Sequence, residues 1–363
     1  MFATLAGAYP PPPETAASPE LALRAILLDQ LEAGLELLGD GEAGAPDPVA
    51  AAVAGLEGVT VGPARVVLAS GWGATQPVVR RLPTWRAGTL VARWRAATVV
   101  AQALAGERRE EPRPVRAQVL GPYTLGRLAD RGRFGRRRVT VAFAEALGAE
   151  LAELAAAGAA LVQVDEPALV DIGPADAAER ALAAEAWRCL AMASPGLHLT
   201  LAIAGGTAEG AGATLLFDAP FRSYFFDLCA GPDNWRLVSR APQDRGIIAG
   251  VADARVARLD SQEILVWGAR YAAALGGRGL DRVGIAPSAG LGALTHARAQ
   301  AKIRSLGRAA RLAGLEDVEE LRRSVHPRAV DSRSAAMGRY EPGGGGSVIE
   351  GPAPTTPPRR RAR

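Results

Sequence analysis

Short apolar runs rich in valine, leucine and isoleucine alternate along the chain with longer alanine-rich and arginine-rich segments of helical period. The apolar runs predict strands at Phe2–Gly7, Leu35–Gly39, Val115–Leu120, Ala160–Val164, Leu197–Ile203, Ser223–Leu228, Gly246–Val251 and Arg282–Ala286. Runs that are apolar throughout mark parallel strands covered on both faces, and parallel neighbours need a crossover between them. Helical segments at Leu21–Glu32, Val139–Ala157, Ala175–Ala193 and Gln262–Ala274 supply such crossovers. Strands alternating with helices in this number predict an α/β fold of the (β/α)8 TIM barrel type. The interval Ala43–Pro114 is too long for one crossover helix. It predicts a helical insertion after the second strand, over about 43–114, with Trp72, Trp85 and Trp94 inside it and a hairpin at Arg65–Ser70, lying over one end of the barrel.

The barrel is expected over residues 1–330 and a disordered C-terminal tail over 331–363, where a glycine run, prolines and terminal arginines cannot bury apolar surface. The formal charge of +4 is accounted for by Arg359, Arg360, Arg361 and Arg363 in that tail, which leaves a nearly neutral body. Clustered basic residues on the folded part would be needed for a nucleic-acid surface, and none is evident. Arginine replaces lysine almost everywhere, Lys302 being the sole exception, a bias that carries no mechanism. Cys189 and Cys229 cannot build a disulfide framework, and the start MFATLAGAYPPPP has no basic region ahead of an apolar run. No segment is apolar for long enough to span a bilayer. A reduced, cytoplasmic protein without membrane or nucleic-acid partners is expected.

Barrels of this type carry their chemistry where strands run into the following loops. Those junctions are polar and glycine-rich here: Gly7-Ala8-Tyr9-Pro10, Gly39-Asp40-Gly41-Glu42, Gly121-Pro122-Tyr123-Thr124 and Asp165-Glu166-Pro167. Adjacent carboxylates leaving an apolar strand are costly to bury alone, so Asp165 and Glu166 should meet donors or a cation. Capping of the next helix or pairing with a barrel arginine would also satisfy them. Glu42, after the flexible Asp40-Gly41, is expected to turn inward beside Asp165, and together they can hold an ammonium group.

The junctions resemble those of the cobalamin-independent methionine synthases. LDQLEAGLELLGDGE (Leu28 to Glu42), GPYTLGRLA (Gly121 to Ala129) and VQVDEPAL (Val162 to Leu169) are similar to that family's second, third and fourth strands. FDLCAGPDNW (Phe226 to Trp235), GIIAGVADAR (Gly246 to Arg255) and IAPSAGL (Ile285 to Leu291) are similar to strands six to eight, so that the resemblance runs from about Phe2 to Ala313 and is greatest to single-barrel members. In that family a zinc ion held by histidine, two cysteines and glutamate binds the homocysteine sulfur, which accepts a methyl group from methyltetrahydrofolate.

Set against that pattern, the zinc ligands are missing. Ala202, Ala204 and Ala289 stand at three of the ligand places, and Asp227 is left as the acidic one. His198, His296 and His326 are poorly placed to substitute, Cys229 lies two residues past Asp227, and Cys189 falls in a helical stretch. Zinc is therefore not expected as a cofactor, whereas a methyltetrahydrofolate-type donor is compatible with the resemblance. Glu42 and Asp165 correspond to the carboxylates that hold the homocysteine ammonium, while Ala8 replaces the serine that binds its carboxylate. Asp253 is followed by Arg255 where two-barrel members carry a proton-donating histidine, and an arginine that stays protonated is a poor acid. The candidate catalytic residues are thus Asp165, Glu166, Asp227 and Asp253. The candidate substrate-binding residues are Glu42, Tyr9, Tyr123 and Asp165, with one of the tryptophans as a platform for a pterin ring.

The leading expectation is a transferase that moves a one-carbon group, from a folate-type donor, to a small amino-containing acceptor without zinc. Two alternatives stand beside it: a metal-free lyase or decarboxylase of the same superfamily, and a non-catalytic ligand-binding or partner barrel like the amino-terminal barrel of large methionine synthases. A partner protein or a homo-oligomer is left open.

Overall fold

A computed structural model describes residues 1–45 and 47–325. The expected tail over 331–363 and His326 lie outside the described residues. The strands are β1 (Phe2–Ala3), β2 (Leu56–Val67), β3 (Gly73–Trp85), β4 (Ala117–Leu120), β5 (Leu161–Asp165), β6 (His198–Ile203), β7 (Ser223–Asp227), β8 (Gly246–Ala252) and β9 (Val283–Pro287). The helices are α1 (Pro19–Ala33), α2 (Pro48–Val53), α3 (Thr89–Arg108), α4 (Pro122–Leu128), α5 (Arg136–Ala156), α6 (Ala177–Met192), α7 (Ala213–Phe217), α8 (Asn234–Arg240), α9 (Gln262–Ala274), α10 (His296–Ala313) and α11 (Val318–Ser324). Among the described residues no helix is long and apolar enough to cross a membrane.

Seven parallel strands form a curled sheet in the order β1-β9-β8-β7-β6-β5-β4. The expected eighth strand, Leu35–Gly39, is not one. Leu37 and Leu38 instead make single parallel bridges to Thr4 and Val115, on either side of the opening between β1 and β4. Side chains add to the few backbone bonds there, from the Leu38 N–H to the Pro114 carbonyl at 2.9 Å and from the Arg116 N–H to the Leu38 carbonyl at 3.0 Å. Gln30 both accepts from the Gly39 N–H at 3.0 Å and donates to its carbonyl at 2.8 Å, and the Glu36 carboxylate accepts from the Ala3 N–H at 2.8 Å. Backbone groups satisfied in this way need no continuous pairing.

Alternation along the strands separates two apolar regions. Val162, Val164, Leu199, Leu201, Tyr224, Phe226, Ile247 and Ile285 belong to the main core, which includes the buried faces of α1, α5, α6, α9 and α10. A much smaller cluster, Ala6, Ala202, Phe225, Ile248 and Ala286, comes from the alternate positions. Toward the carboxyl ends of β4 and β5 three polar side chains interrupt the apolar pattern: Gln118 pairs in register with Gln163, and Asp165 ends β5 opposite Leu120. The sheet therefore delivers polar side chains to its carboxyl end beside β4 and β5.

The insertion holds helices, α2 and α3, as expected, but the hairpin expected at Arg65–Ser70 is far longer. Between α2 and α3 it is a long antiparallel hairpin, β2 with β3, turning through Leu68–Trp72. Valines at 59, 61, 66, 67, 78 and 79 favour an extended chain. Pro63 falls in the register shift between Val61 and Arg65, where a missing N–H costs no ladder bond. The hairpin's far end is tied down by α5. Glu150, buried, accepts from the Trp85 indole at 2.6 Å and from the Leu90 and Val91 N–H groups at 2.7 and 3.2 Å, so one carboxylate clamps β3 and caps α3.

Candidate functional site

At the end of β5 the Asp165 carboxylate accepts from two carboxamides, Gln163 Nε2 and Gln118 Nε2, each at 2.7 Å. Gln118 Nε2 also donates to Glu42 Oε1 at 3.1 Å, so a single amide group joins the two carboxylates. Gln118 is oriented from below: the buried Arg116 donates to its Oε1 at 3.2 Å and to Thr4 Oγ1 and the Leu5 carbonyl at 2.6 and 2.7 Å. The Gln118 oxygen accepts from Arg116, which leaves the NH2 to face the acids. Glu42 reaches the site from a turn in which it holds a left-handed backbone, φ 58°, between Gly41 at φ 60° and Gly44 at φ 70°. That region is unfavourable for a residue with a Cβ, and such strain tends to mark functional positions. Gly7 completes the arrangement, since a Cβ there would sit 3.2 Å from Glu42 Oε1 and 3.4 Å from Gln118 Nε2.

The electrostatics follow from this geometry. Withdrawal from water, and then the neighbouring Asp165 and Asp40 charges, push Glu42 up to about 7 against the pull of Arg93 and Arg116. Withdrawal from water likewise pushes Asp165 up to about 7, although Gln163, Gln118 and Arg116 all favour its charged form. Arg116 acts through Gln118 and makes no hydrogen bond to either acid, so the pair keeps room for a cation.

Glu42, Gln118 and Asp165 line a cavity of about 490 Å³ at the carboxyl end of the sheet. Ala8, Ala202, Ala204 and Ala289 form much of its wall, and the hairpin contributes Arg65, Trp72 and Gly73. The hairpin tip sits against the loops after β5 and β6: the Ala69 N–H meets Asp171 Oδ2 at 3.4 Å, and Gly205 lies beside Ser70. Trp72 is thus the tryptophan at the mouth. Trp85 is bound to Glu150, and Trp94 donates to the Val115 carbonyl at 2.9 Å.

Other residues singled out from the sequence are placed elsewhere. Glu166 is fully buried beneath α4, accepting from Tyr123 N–H, Thr124 N–H, Thr124 Oγ1 and Trp187 Nε1 at 2.6–3.1 Å. Burial pushes it up to about 7 even so, but its lone pairs are committed to a helix N-terminus and it does not face the cavity. Asp227 accepts from Gly205, Cys229 and Ala230 N–H groups and holds two loops together; burial raises its pKa. Asp253 pairs with Arg255 at 3.1 Å in a loop beyond β8. Tyr9 turns outward to Asp29, which also meets His296 and Gln300, and Tyr123 turns to Glu179. Neither tyrosine lines the cavity. His198 bonds Ser223 at 2.8 Å at the opposite end of the strands.

Arg116, Gln118 and Gln163 were not singled out from the sequence. Their signal was a spacing: polar residues at alternate places, 116 and 118 on one strand and 163 and 165 on the next, inside otherwise apolar runs.

The donor set at the mouth does not fit a zinc ion. Its acids are two carboxylates already joined by Gln118, the places where sulfur or imidazole would stand are alanines, and among the described residues no three histidine, cysteine, aspartate or glutamate side chains converge on one point. Cys229, whose thiol burial pushes up to about 12, donates to the Gly250 carbonyl.

Comparisons with known proteins agree with this geometry at the level of fold and family. A B12-independent methionine synthase from Shewanella sp. W3-18-1, solved in complex with selenomethionine, superposes with a TM-score of 0.70 over 89% of this chain and 98% of its own, at 19% identity. That likeness shows the fold alone. A 5-methyltetrahydropteroyltriglutamate–homocysteine methyltransferase from Caulobacter vibrioides is 34% identical over 185 residues, 49% of this chain and 22% of the relative. One of the same name from Nitrobacter winogradskyi is 38% identical over 145 residues, 39% of this chain and 18% of the relative. The chain thus spans about a fifth of the length of these curated relatives. Residues 83–266, half of the chain, match the family described as cobalamin-independent synthase, N-terminal domain. From the end of β3 into the first part of α9 the sequence carries that family's pattern, and the chain belongs to the cobalamin-independent synthase N-terminal domain family.

Proposed function

We propose that this protein binds the ammonium group of a small molecule between Glu42 and Asp165 and is a methionine-synthase-like transferase, moving a one-carbon group from a folate-type donor to that acceptor without zinc. The observation that carries the reading is the pair of recessed carboxylates joined by Gln118, facing a cavity and lacking a direct cationic partner. An ammonium supplies the missing charge and three donors. The relatives' name, a homocysteine methyltransferase, and the selenomethionine bound to the Shewanella protein agree with an amino-acid-like ligand. Trp72 offers a flat apolar face at the mouth to the donor's ring. Without a metal to activate it, the acceptor atom has to be nucleophilic already, because an ammonium bound between Glu42 and Asp165 keeps both acids ionised. Leu37–Leu38 serves in this reading as the shortest member of the expected eight-stranded barrel.

A second reading, a barrel that binds the ligand for a partner without catalysing transfer, is favoured by the match to an N-terminal domain family. Purified protein incubated with methyl-labelled methyltetrahydrofolate and a panel of amino-thiol and amine acceptors separates the two. Label transferred to an amino acceptor, abolished by Asp165→Asn, supports the transferase. Binding of an amino ligand with no retention of folate supports the partner reading.

A further inference from the structure

The amino-terminal end of the sheet holds a second cavity, of about 590 Å³, which shares no residue with the one at the carboxyl end. Sheets of this curvature are ordinarily filled by layers of bulky side chains. Here the inward places at the strand starts are small. Ser223 stands opposite Gly246 in register, and Gly284 lies against the Phe2 ring, where a Cβ would come within 2.4 Å of it. The hollow left between Phe2, Leu161 and Ile248 is apolar, and apolar surface in a recess favours an occupant that covers it.

One flank of the hollow is polar. Ser223 Oγ bonds His198 Nε2 at 2.8 Å and Thr200 Oγ1 at 2.7 Å. Burial, and then the neighbouring Arg222, lower the His198 pKa, so the ring is neutral at pH 7 and above and carries one N–H. Three donors thus serve two bonds, and in either tautomer one N–H or O–H is left for a ligand. Two guanidiniums at the rim are also unspent. Among the described residues the Arg222 side chain has no hydrogen bond or ion pair, and Arg245 Nε, shielded from water, has no hydrogen-bond partner and stands 3.8 Å from Asp244. They adjoin, because the Arg222 carbonyl accepts from the Gly246 N–H at 2.9 Å. Asp244, Asp281, Glu36 and Arg282 border the same cavity, and those acids repel a dianion more than a single charge held at Arg222.

We infer that the amino-terminal cavity is a second binding site, for a small monocarboxylate with an apolar body. The carboxylate meets Arg222, Arg245 and the spare donor of the His198–Ser223–Thr200 chain, and the carbon chain lies on Phe2, Leu161 and Ile248. This site stands whether or not the transfer proposed above takes place at the other end.

Isothermal titration of the full chain at pH 8 with hexanoate, with 1-hexanol, which lacks the charge, and with the doubly charged hexyl phosphate tests this. Hexanoate is expected to bind at a single site and more tightly than either of the others. Arg222→Gln, at an exposed position where the fold tolerates the change, is expected to weaken hexanoate roughly 10-fold and to leave 1-hexanol unchanged. Arg222→Lys keeps the charge and recovers part of that loss. Asp165→Asn, at the other cavity, leaves hexanoate binding as it was. Failure of the unaltered protein to bind hexanoate overturns the inference. So does an Arg222→Gln variant that binds hexanoate as before, or that loses both probes equally, which means that the substitution acts through the fold. Loss of hexanoate in Asp165→Asn puts the acid in the carboxyl-end cavity and overturns the second site. Hexyl phosphate bound more tightly than hexanoate overturns the assignment to a single charge.

Discussion

Glu42 and Asp165 are ionised far less readily at neutral pH than free carboxylates, because withdrawal from water raises both to about 7. An ammonium ligand needs them charged, so its affinity rises as pH increases from about 6 to 8, and binding near pH 7 releases protons. Titrations in buffers of different ionisation enthalpy read that release directly, and a pH-independent affinity counts against the site. Gln118 is the hinge of the pair. Gln118→Leu removes the amide that joins the acids, and it is expected to weaken amino-ligand binding roughly 10-fold or more through the loss of their orientation. Asp165 and Glu42 were legible in the sequence because polar residues after a strand stand out against apolar neighbours. Glu166 stood out for the same reason, but its task is different. Adjacent residues on an extended chain point to opposite faces, so Asp165 turns to the cavity and Glu166 to the helix layer. Arg65 carried no local mark at all, since only the hairpin's fold brings it to the mouth.

Two carboxylates organise whole elements here. Glu166 binds the N-terminus of α4 and the Trp187 indole of α6, while Glu150 binds the N-terminus of α3 and the Trp85 indole of β3. In both cases a helix without a side-chain cap of its own borrows one from a distant segment. Glu150→Ala leaves three donors unpaired and is expected to cost about 3 kcal/mol in equilibrium denaturation, loosening the hairpin before the sheet. Gly121→Ala tests the second clamp, because its Cβ would lie 2.2 Å from Glu166 Oε1; a loss of at least about 2 kcal/mol is expected, and a neutral change shows that α4 can shift freely. The crossover helices were readable from the sequence to within a few residues, α9 to the residue, because amphipathic period and caps such as Ser261 are local signals. A hairpin was expected only at Arg65–Ser70, and its full length over β2 and β3 escaped the sequence because strand pairing lies across a turn and its support comes from α5.

For the molecule as a whole, the recessed acids make stability depend on pH. Their native pKa values lie above those of the unfolded chain, so the folded state holds more protons between about pH 4.5 and 7. Stability contributed by Glu42 and Asp165 is thus greatest at the acid end of that window and is lost as pH rises through about 7. Urea denaturation of the ligand-free protein should show this decline, and a saturating amino ligand should reverse it at pH 8. A ligand-free protein more stable at pH 8 than at pH 5.5 contradicts the assignment if Glu42→Gln with Asp165→Asn leaves that difference unchanged rather than enlarging it. The sequence by itself determined the alternation of strands and helices, the neutral body, the acidic strand end and the family, because period, charge and short motifs are properties of neighbouring residues. Tertiary structure alone decided that the sheet has seven strands bridged by Leu37 and Leu38, that Gln118 joins Glu42 to Asp165, and that a hairpin brings Arg65 and Trp72 to the cavity. Each of these depends on segments far apart in the chain meeting in space, and no local pattern encodes the distance between them.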